Sequence, residues 1–351
     1  MRNTAPPFYN KLAYILICVV LVLFLLSAGK SIFIPIFFAS LVCVLLYPVC
    51  TRLEKWGVKR GYATLIAVLL FIACLAVFFY FFVTQIIIFT QDLPQLQAKV
   101  ESMLADAQRY IAQEYHVNST EQIAYINKSA SGFIATAANS LGNFFLNVIT
   151  VLIWTIFVFI YCYFMLAHRK LLLRFILGLF RAQNRAKAYD VVLQTRSVIN
   201  SYVIGLLLEM AVMIVLNIAA FMIIGIHYAI LLGLLAAVLN IIPYIGIYTA
   251  LAIAMLITFT NGTGAQAVEV GVIMVVLHFI DANILLPRIV GGRVKMNPFI
   301  TIVAVLTGHL IWGIPGMFLF IPLTAIIKII CTRVDGLRPW SILIGTEDKE
   351  P

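Results

Sequence analysis

The chain has 351 residues, 63% of them apolar and 11% charged, with a mean hydropathy of +1.06. Those values exclude a soluble globular domain and describe a multi-pass membrane protein. Its backbone groups must be satisfied within each segment in lipid, so the fold class is all-α. The net charge of +10 does not imply nucleic acid. The basic residues sit in short segments between apolar runs without aromatic interleaving, which is the pattern of a membrane-orientation signal.

In chain order, a first span is predicted over Leu12–Ala28 and a second over Ile32–Cys50, with Pro35 in its first turn, where proline is tolerated. The segment 51–61 carries Arg52, Lys55, Lys59 and Arg60 against Glu54. A third span runs from Tyr62 to about Phe89. Residues 90–145 then change character. Leu93, Leu96, Val100, Met103, Leu104, Ala107 and Ile111 recur at helical spacing among charges, which predicts an amphipathic helix with Pro94 near its start. Ser119 and Gln122 form a capping-box pattern for a second short helix in this extracytoplasmic insert. A fourth span covers Phe144–Ala167. The basic stretch from His168 to Arg196 reads as amphipathic helices along an anionic leaflet. A fifth span follows over Asn200–Ile224 and a sixth over Val268–Leu286, with 287–298 as a basic loop.

Two apolar stretches do not read as simple spans. Tyr228–Phe259 has no charge but is interrupted by Asn240-Ile241-Ile242-Pro243-Tyr244-Ile245-Gly246. As one helix it would be about 48 Å long, against a hydrocarbon core of about 30 Å. Phe299–Ile330 is notched by Gly308, Gly313, Pro315 and Gly316. Each is expected to fold back as a re-entrant hairpin with arms of roughly 18–22 Å. The expected architecture is therefore about six full spans plus two re-entrant broken hairpins, eight hydrophobic segments in all. Eight simple spans is the alternative. The hairpins enter from opposite sides, which makes the C-terminal half an inverted repeat.

The resulting divisions are 1–89 (three N-terminal spans), 90–145 (the insert), 146–199 (fourth span and basic segment), 200–332 (transport core) and 333–351 (polar tail). This topology puts both termini in the cytoplasm. All but four of the 24 Lys and Arg residues then lie inside, the exceptions being Lys30, Lys99, Arg109 and Lys128.

Candidate chemistry follows from polar groups placed where lipid penalises them. At the hairpin tips, Asn240, Tyr244, and carbonyls freed by Pro243 offer contacts to a small polar solute. Helix N-termini near Gly246 and Gly316 offer dipoles. Asn283, Gly308, His309 and Gly313 complete the candidate solute set. Glu209 shares a helical face with Tyr202, Gly205, Met213 and Asn217 and is a candidate ion-coupling carboxylate. His278 and Asp281 are three residues apart on one face and join it. Asp281 also has a structural reading, an ion pair with Arg288 two turns on. His278 and His309 are candidate proton relays. The six cysteines have no CxxC spacing and read as packing residues. No metal site, cofactor or hydrolytic motif is recognisable, so an enzyme is not expected.

The motifs NIIPYIG at 240–246, NILLPRIVGGRVKMNP at 283–298 and GHLIWGIPGMFLFIPLTAIIKI at 308–329 resemble the autoinducer-2 exporter family of membrane permeases. Ile204, Asp281 and His309 depart from the family pattern. The resemblance implies a homo-oligomeric helical transporter, a pentamer, in the bacterial inner membrane. It also implies outward movement of a small polar solute such as autoinducer-2. Some members are assigned cation/proton antiport, so a sodium/proton antiporter using Glu209 and Asp281 is the second reading. A membrane scaffold without transport is the third.

Overall fold

The computed structural model describes residues 8–115, 153–243, 245–291 and 296–345, and they are helical and without strands. The helices are α1 (Phe8–Ala28), α2 (Lys30–Lys55), α3 (Arg60–Tyr115), α4 (Ile153–Ala167) and α5 (Arg169–Gly178). They continue as α6 (Arg185–Ile223), α7 (Ala229–Asn240), α8 (Ile245–Asn261) and α9 (Gly264–Ile280). The last three are α10 (Pro298–Trp312), α11 (Ile314–Arg333) and α12 (Arg338–Ile344). Five helical stretches among the described residues are long and apolar enough to cross a membrane, or six if the bent pair α4–α5 counts as one span.

Three boundaries differ from expectation. The third span and the amphipathic helix after it are one helix of 56 residues, roughly 84 Å at ~1.5 Å per residue. Pro94 lies inside it. A proline withholds one backbone donor, and the remaining ladder on both sides carries the helix through. The second half of the basic stretch likewise continues into the fifth span, because α6 starts at Arg185. Third, 287–298 is not wholly a loop. Helix α9 runs on as π-helical turns at Asp281–Leu285 and Pro287–Gly291. The wider turn leaves the Asn283 amide donating to Phe279 O at 2.8 Å, one turn back. The Ser119–Gln122 capping box, Tyr244 and the first part of the fourth span lie outside the described residues.

The chain divides into two compact units. Unit 1 takes Met1–Val68, Ile156–Leu206 and Val290–Pro351. Here α10 and α11 form a tight antiparallel hairpin. Gly313 reverses the chain at φ 66° and ψ −144°, a conformation that side chains other than hydrogen resist. Gly308 and Gly316 then bring the two backbones together, since a Cβ on Gly316 would lie 1.9 Å from Gly308 O. Met296, Ala325 and Ile344 close the far end in a small core with Ile300. Trp312 ties the hairpin to α1, its Nε1 donating to Leu26 O at 2.8 Å. Its ring packs on Phe37 and Phe320, each at 5.4 Å. With 20 residues, α11 is longer than the half-span arm expected for it and by length can cross a bilayer.

At the basic end of this unit, α5 departs from α4 at 73°. Arg169, just past the bend, donates to Glu54 Oε2 at 2.6 Å, and Arg60 Nε is 3.7 Å from Oε1. The guanidiniums of Arg169 and Arg196 both lie over the Tyr47 ring, at 4.9 and 3.4 Å. One carboxylate thus pairs with two guanidiniums drawn from two segments, and the Tyr47 ring carries a third beside them. Glu54→Gln keeps the shape and removes that counter-charge. A half-buried, charge-assisted contact contributes about 1–3 kcal/mol. The variant is expected to melt a few degrees lower in detergent. An unchanged melting temperature would show that the cluster does not hold the bend.

Unit 2 takes Leu69–Thr155 and Leu207–Ile289. Its core combines Phe221 from α6, Leu232 and Ala236 from α7, Ala250 and Ala254 from α8, and Val270 and Met274 from α9. Small residues set the spacing. A Cβ on Gly233 of α7 would meet Ile218 N of α6 at 2.8 Å. On Gly246 of α8 it would meet Leu239 O of α7 at 1.7 Å. Helices α7 and α8 therefore fold back on one another at the Pro243 break, a second helical hairpin.

Candidate functional site

The polar groups of unit 2 gather where α7 ends. Helix α7 stops at Asn240 because Pro243 three residues later offers no backbone donor. The chain turns through Ile241–Pro243, with Ile242 N donating to Leu239 O at 2.9 Å and Gly246 N to Ile242 O at 3.1 Å. This leaves the Asn240 side chain at the hairpin tip. Its Nδ2 donates to Asp281 Oδ2 at 2.8 Å. Asp281 sits where α9 gives way to its first π-turn and is 3% exposed. π-Turns inside helices are frequent at functional positions, because the register change re-aims a side chain.

Two neighbours complete the cluster. Glu209 of α6 is 7% exposed and lies on a buried stripe with Tyr202, Gly205, Met213, Asn217 and Phe221. His278 stands one turn before Asp281, in the last turn of α9. Among the described residues, Glu209 Oε2, Asp281 Oδ1 and His278 Nδ1 are buried without a hydrogen-bond partner. A buried oxygen with no donor costs free energy unless something binds it. Buried carboxylate oxygens without donors, in one unit with an imidazole and the Asn240 amide, can accept a proton, a cation or the hydroxyls of a polar solute.

The ion pair expected between Asp281 and Arg288 is not formed. Arg288 is exposed, and Asp281 takes Asn240 instead. The π-turns between them change the helical register on which that pairing was reckoned. Asn283 is exposed and spends its amide on Phe279 O. Pro243 and Gly246 shape the tip through their backbones. The remaining candidates belong to unit 1. There Gly308 and Gly316 are in helix contact, Gly313 makes the reversal, and His309 is an exposed residue of α10 rather than part of the break. The pairing of Asn240 with Asp281, forty-one residues on in sequence, was missed. Its signal was present: a buried carboxylate needs a donor, and Asn240 is a polar residue at an expected tip.

Comparison with known proteins places the chain in a family. A profile of the AI-2E family transporters matches residues 14–336, nearly the whole chain. The chain belongs to the AI-2E family transporters. The AI-2 transport protein TqsA of Escherichia coli (strain K12) is 25% identical over 351 residues, 97% of each chain. YrrI of Bacillus subtilis (strain 168) is 25% identical over 313 residues, 88% of each chain. YhhT of Escherichia coli (strain K12) is 24% identical over 339 residues, 91% of this chain and 90% of its own. As an AI-2E family transporter, the chain is a multi-pass membrane protein. Its polar intramembrane cluster is a candidate for the path that such a protein provides.

Proposed function

We propose that the chain exports a small polar solute of the autoinducer-2 class across a bacterial inner membrane. In this reading α7–α8 and α10–α11 are inverted re-entrant hairpins of an alternating-access device. The termini are cytoplasmic, and the working form is a homo-oligomer, a pentamer. The observation that carries the reading is the Asn240–Asp281 hydrogen bond at a proline-broken hairpin tip, with carboxylate oxygens left over. Intramembrane polar groups at broken helices mark solute pathways. Solute hydroxyls donate to the free oxygens of Asp281 and Glu209 and accept from the Asn240 amide.

A second reading, sodium/proton antiport, is favoured by the unpartnered oxygens of the same two carboxylates, which can exchange a cation for a proton without any organic solute. One experiment separates the two. Proteoliposomes carrying the full chain are loaded with labelled autoinducer-2, and efflux is followed with and without a pH gradient. Saturable efflux lost in Glu209→Gln supports export. Sodium-driven proton movement lost in Glu209→Gln, with no solute flux, supports antiport. Neither activity in the wild type overturns both.

A further inference from the structure

At the opposite end of α7 from Asn240, about 18 Å away for 12 residues at ~1.5 Å each, unit 2 holds a second polar recess. It lies where the turn before α7 faces the turn between α8 and α9. Its volume is about 230 Å³, and its lining includes His227, Tyr228, Thr258, Asn261 and Gln266. Gly225 and Gly262 in those turns contribute no side chain to fill it. No formal charge lines the recess, and liquid water takes about 30 Å³ per molecule. It has room for several waters or for one small sugar.

Thr258 is the most deeply buried polar residue of the lining. It is 3% exposed, yet its Oγ1 has no hydrogen-bond partner among the described residues. Several other helical threonines settle the same problem by donating to the carbonyl one turn back, whereas the fully buried Thr64 of α3 shares the unpartnered state of Thr258. Thr249 donates to Ile245 O at 2.9 Å, Thr260 to Leu256 O at 3.1 Å and Thr324 to Phe320 O at 2.7 Å. Thr258 has that option in a regular helix and does not take it. Its hydroxyl is a buried, unsatisfied group on a residue that lines the recess, one small side-chain rotation from a ligand held there.

The neighbouring groups are amphoteric or mixed. Gln266 Oε1 accepts from Thr263 N at 3.0 Å in the capping box of α9, so the amide nitrogen is the part left to donate. Asn261 Nδ2 donates to Ile257 O at 3.0 Å, which leaves its carbonyl oxygen to accept. His227 and Tyr228 stand edge to face, with ring centroids 4.7 Å apart. They give the recess an aromatic wall. Donors, acceptors and an aromatic face without charge suit a neutral molecule that carries several hydroxyls on a compact carbon skeleton. They do not suit an anion or a metal ion.

We infer that this recess is a second binding site, for a neutral polyhydroxylated solute of the size of a small sugar. It is separate from the Asn240–Asp281 cluster and does not depend on the reading of that cluster. In a transporter it is a station at which solute waits before or after the crossing step.

The test uses the full chain in lipid nanodiscs and D-ribose as the probe, read by saturation-transfer NMR. Wild type is expected to transfer saturation to ribose. Thr258→Val, which keeps the shape and removes the hydroxyl, should weaken binding about two- to tenfold, the worth of one neutral hydrogen bond. Gln266→Leu should weaken it similarly, and ribose 5-phosphate should bind far less. Transfer retained in Asn240→Ala places the signal in the recess rather than at the hairpin tip. No transfer in the wild type, or equal transfer in both recess variants, overturns the site. Equal binding of the phosphate ester overturns its chemistry. Export failing in proteoliposomes would leave this result unaffected, so the two proposals fail separately.

Discussion

Asn240→Ala should cut solute flux in proteoliposomes by about tenfold to a hundredfold while leaving a folded protein in the membrane. The variant removes the single donor that the structure gives to Asp281. A hydrogen bond to a charged group contributes about 1.5–3 kcal/mol, and each ~1.4 kcal/mol is tenfold in an equilibrium. A carboxylate 3% exposed then has no partner at either oxygen, which also lowers stability. A drop in flux alone would fit a merely structural role, so the partner is varied too. Asn240→Ala with Asp281→Ala removes the stranded charge along with its donor. Its melting temperature should recover relative to Asn240→Ala, and its flux should stay lost. Non-additivity of that kind is expected of groups in contact. Flux returning together with stability would show that the pair only props the tip. Unchanged flux in Asn240→Ala would remove the cluster from the transport path.

What the sequence could convey was set by how local each cause is. Hydropathy runs over twenty residues locate helices in lipid, because each segment must satisfy its own backbone. Pro243 places the first break to within three residues, since a missing donor acts on its own turn. Gly313 places the second reversal for the same kind of reason, a conformation that only glycine adopts readily. Pro94 shows where such reasoning overreaches. It was expected near a helix start, yet α3 passes through it, because the turns on either side outweigh one lost hydrogen bond. The partner of Asp281 was out of reach for a different reason. Along one helix Arg288 is the nearest opposite charge, whereas the donor actually used comes from another helix across the fold. A π-turn is also invisible in composition, and it decides which way Asp281 faces. Gly308 and Gly316 were read as candidate solute-binding positions at a helix break. In the structure each is filled by the other's backbone.

That contact makes Gly316→Ala the substitution expected to harm folding most. The added Cβ would stand 1.9 Å from Gly308 O and 2.6 Å from its carbonyl carbon, with Trp312 Cβ at 3.0 Å. The first two are backbone atoms of α10, so no rotamer change relieves them, and the helices must move apart. Overpacking of ordinary cores costs about 1–3 kcal/mol, and a clash with backbone lies at or above the upper end. Gly308→Ala meets Gly316 O at 2.3 Å and should behave alike. Gly178→Ala in α5 is the control, since nothing lies within 4 Å of its Cβ. There alanine should be neutral or slightly stabilising, by about 0.5–1 kcal/mol. The check is the yield of monodisperse protein and its thermal unfolding for the three variants side by side. Loss confined to the Gly308 and Gly316 variants would mean that α10 and α11 fold back in direct backbone contact. Any solute path must then be sought elsewhere than between those two helices at that level. Three variants of equal yield would mean that the helices stand apart, and the hairpin as drawn from Gly313 would be wrong.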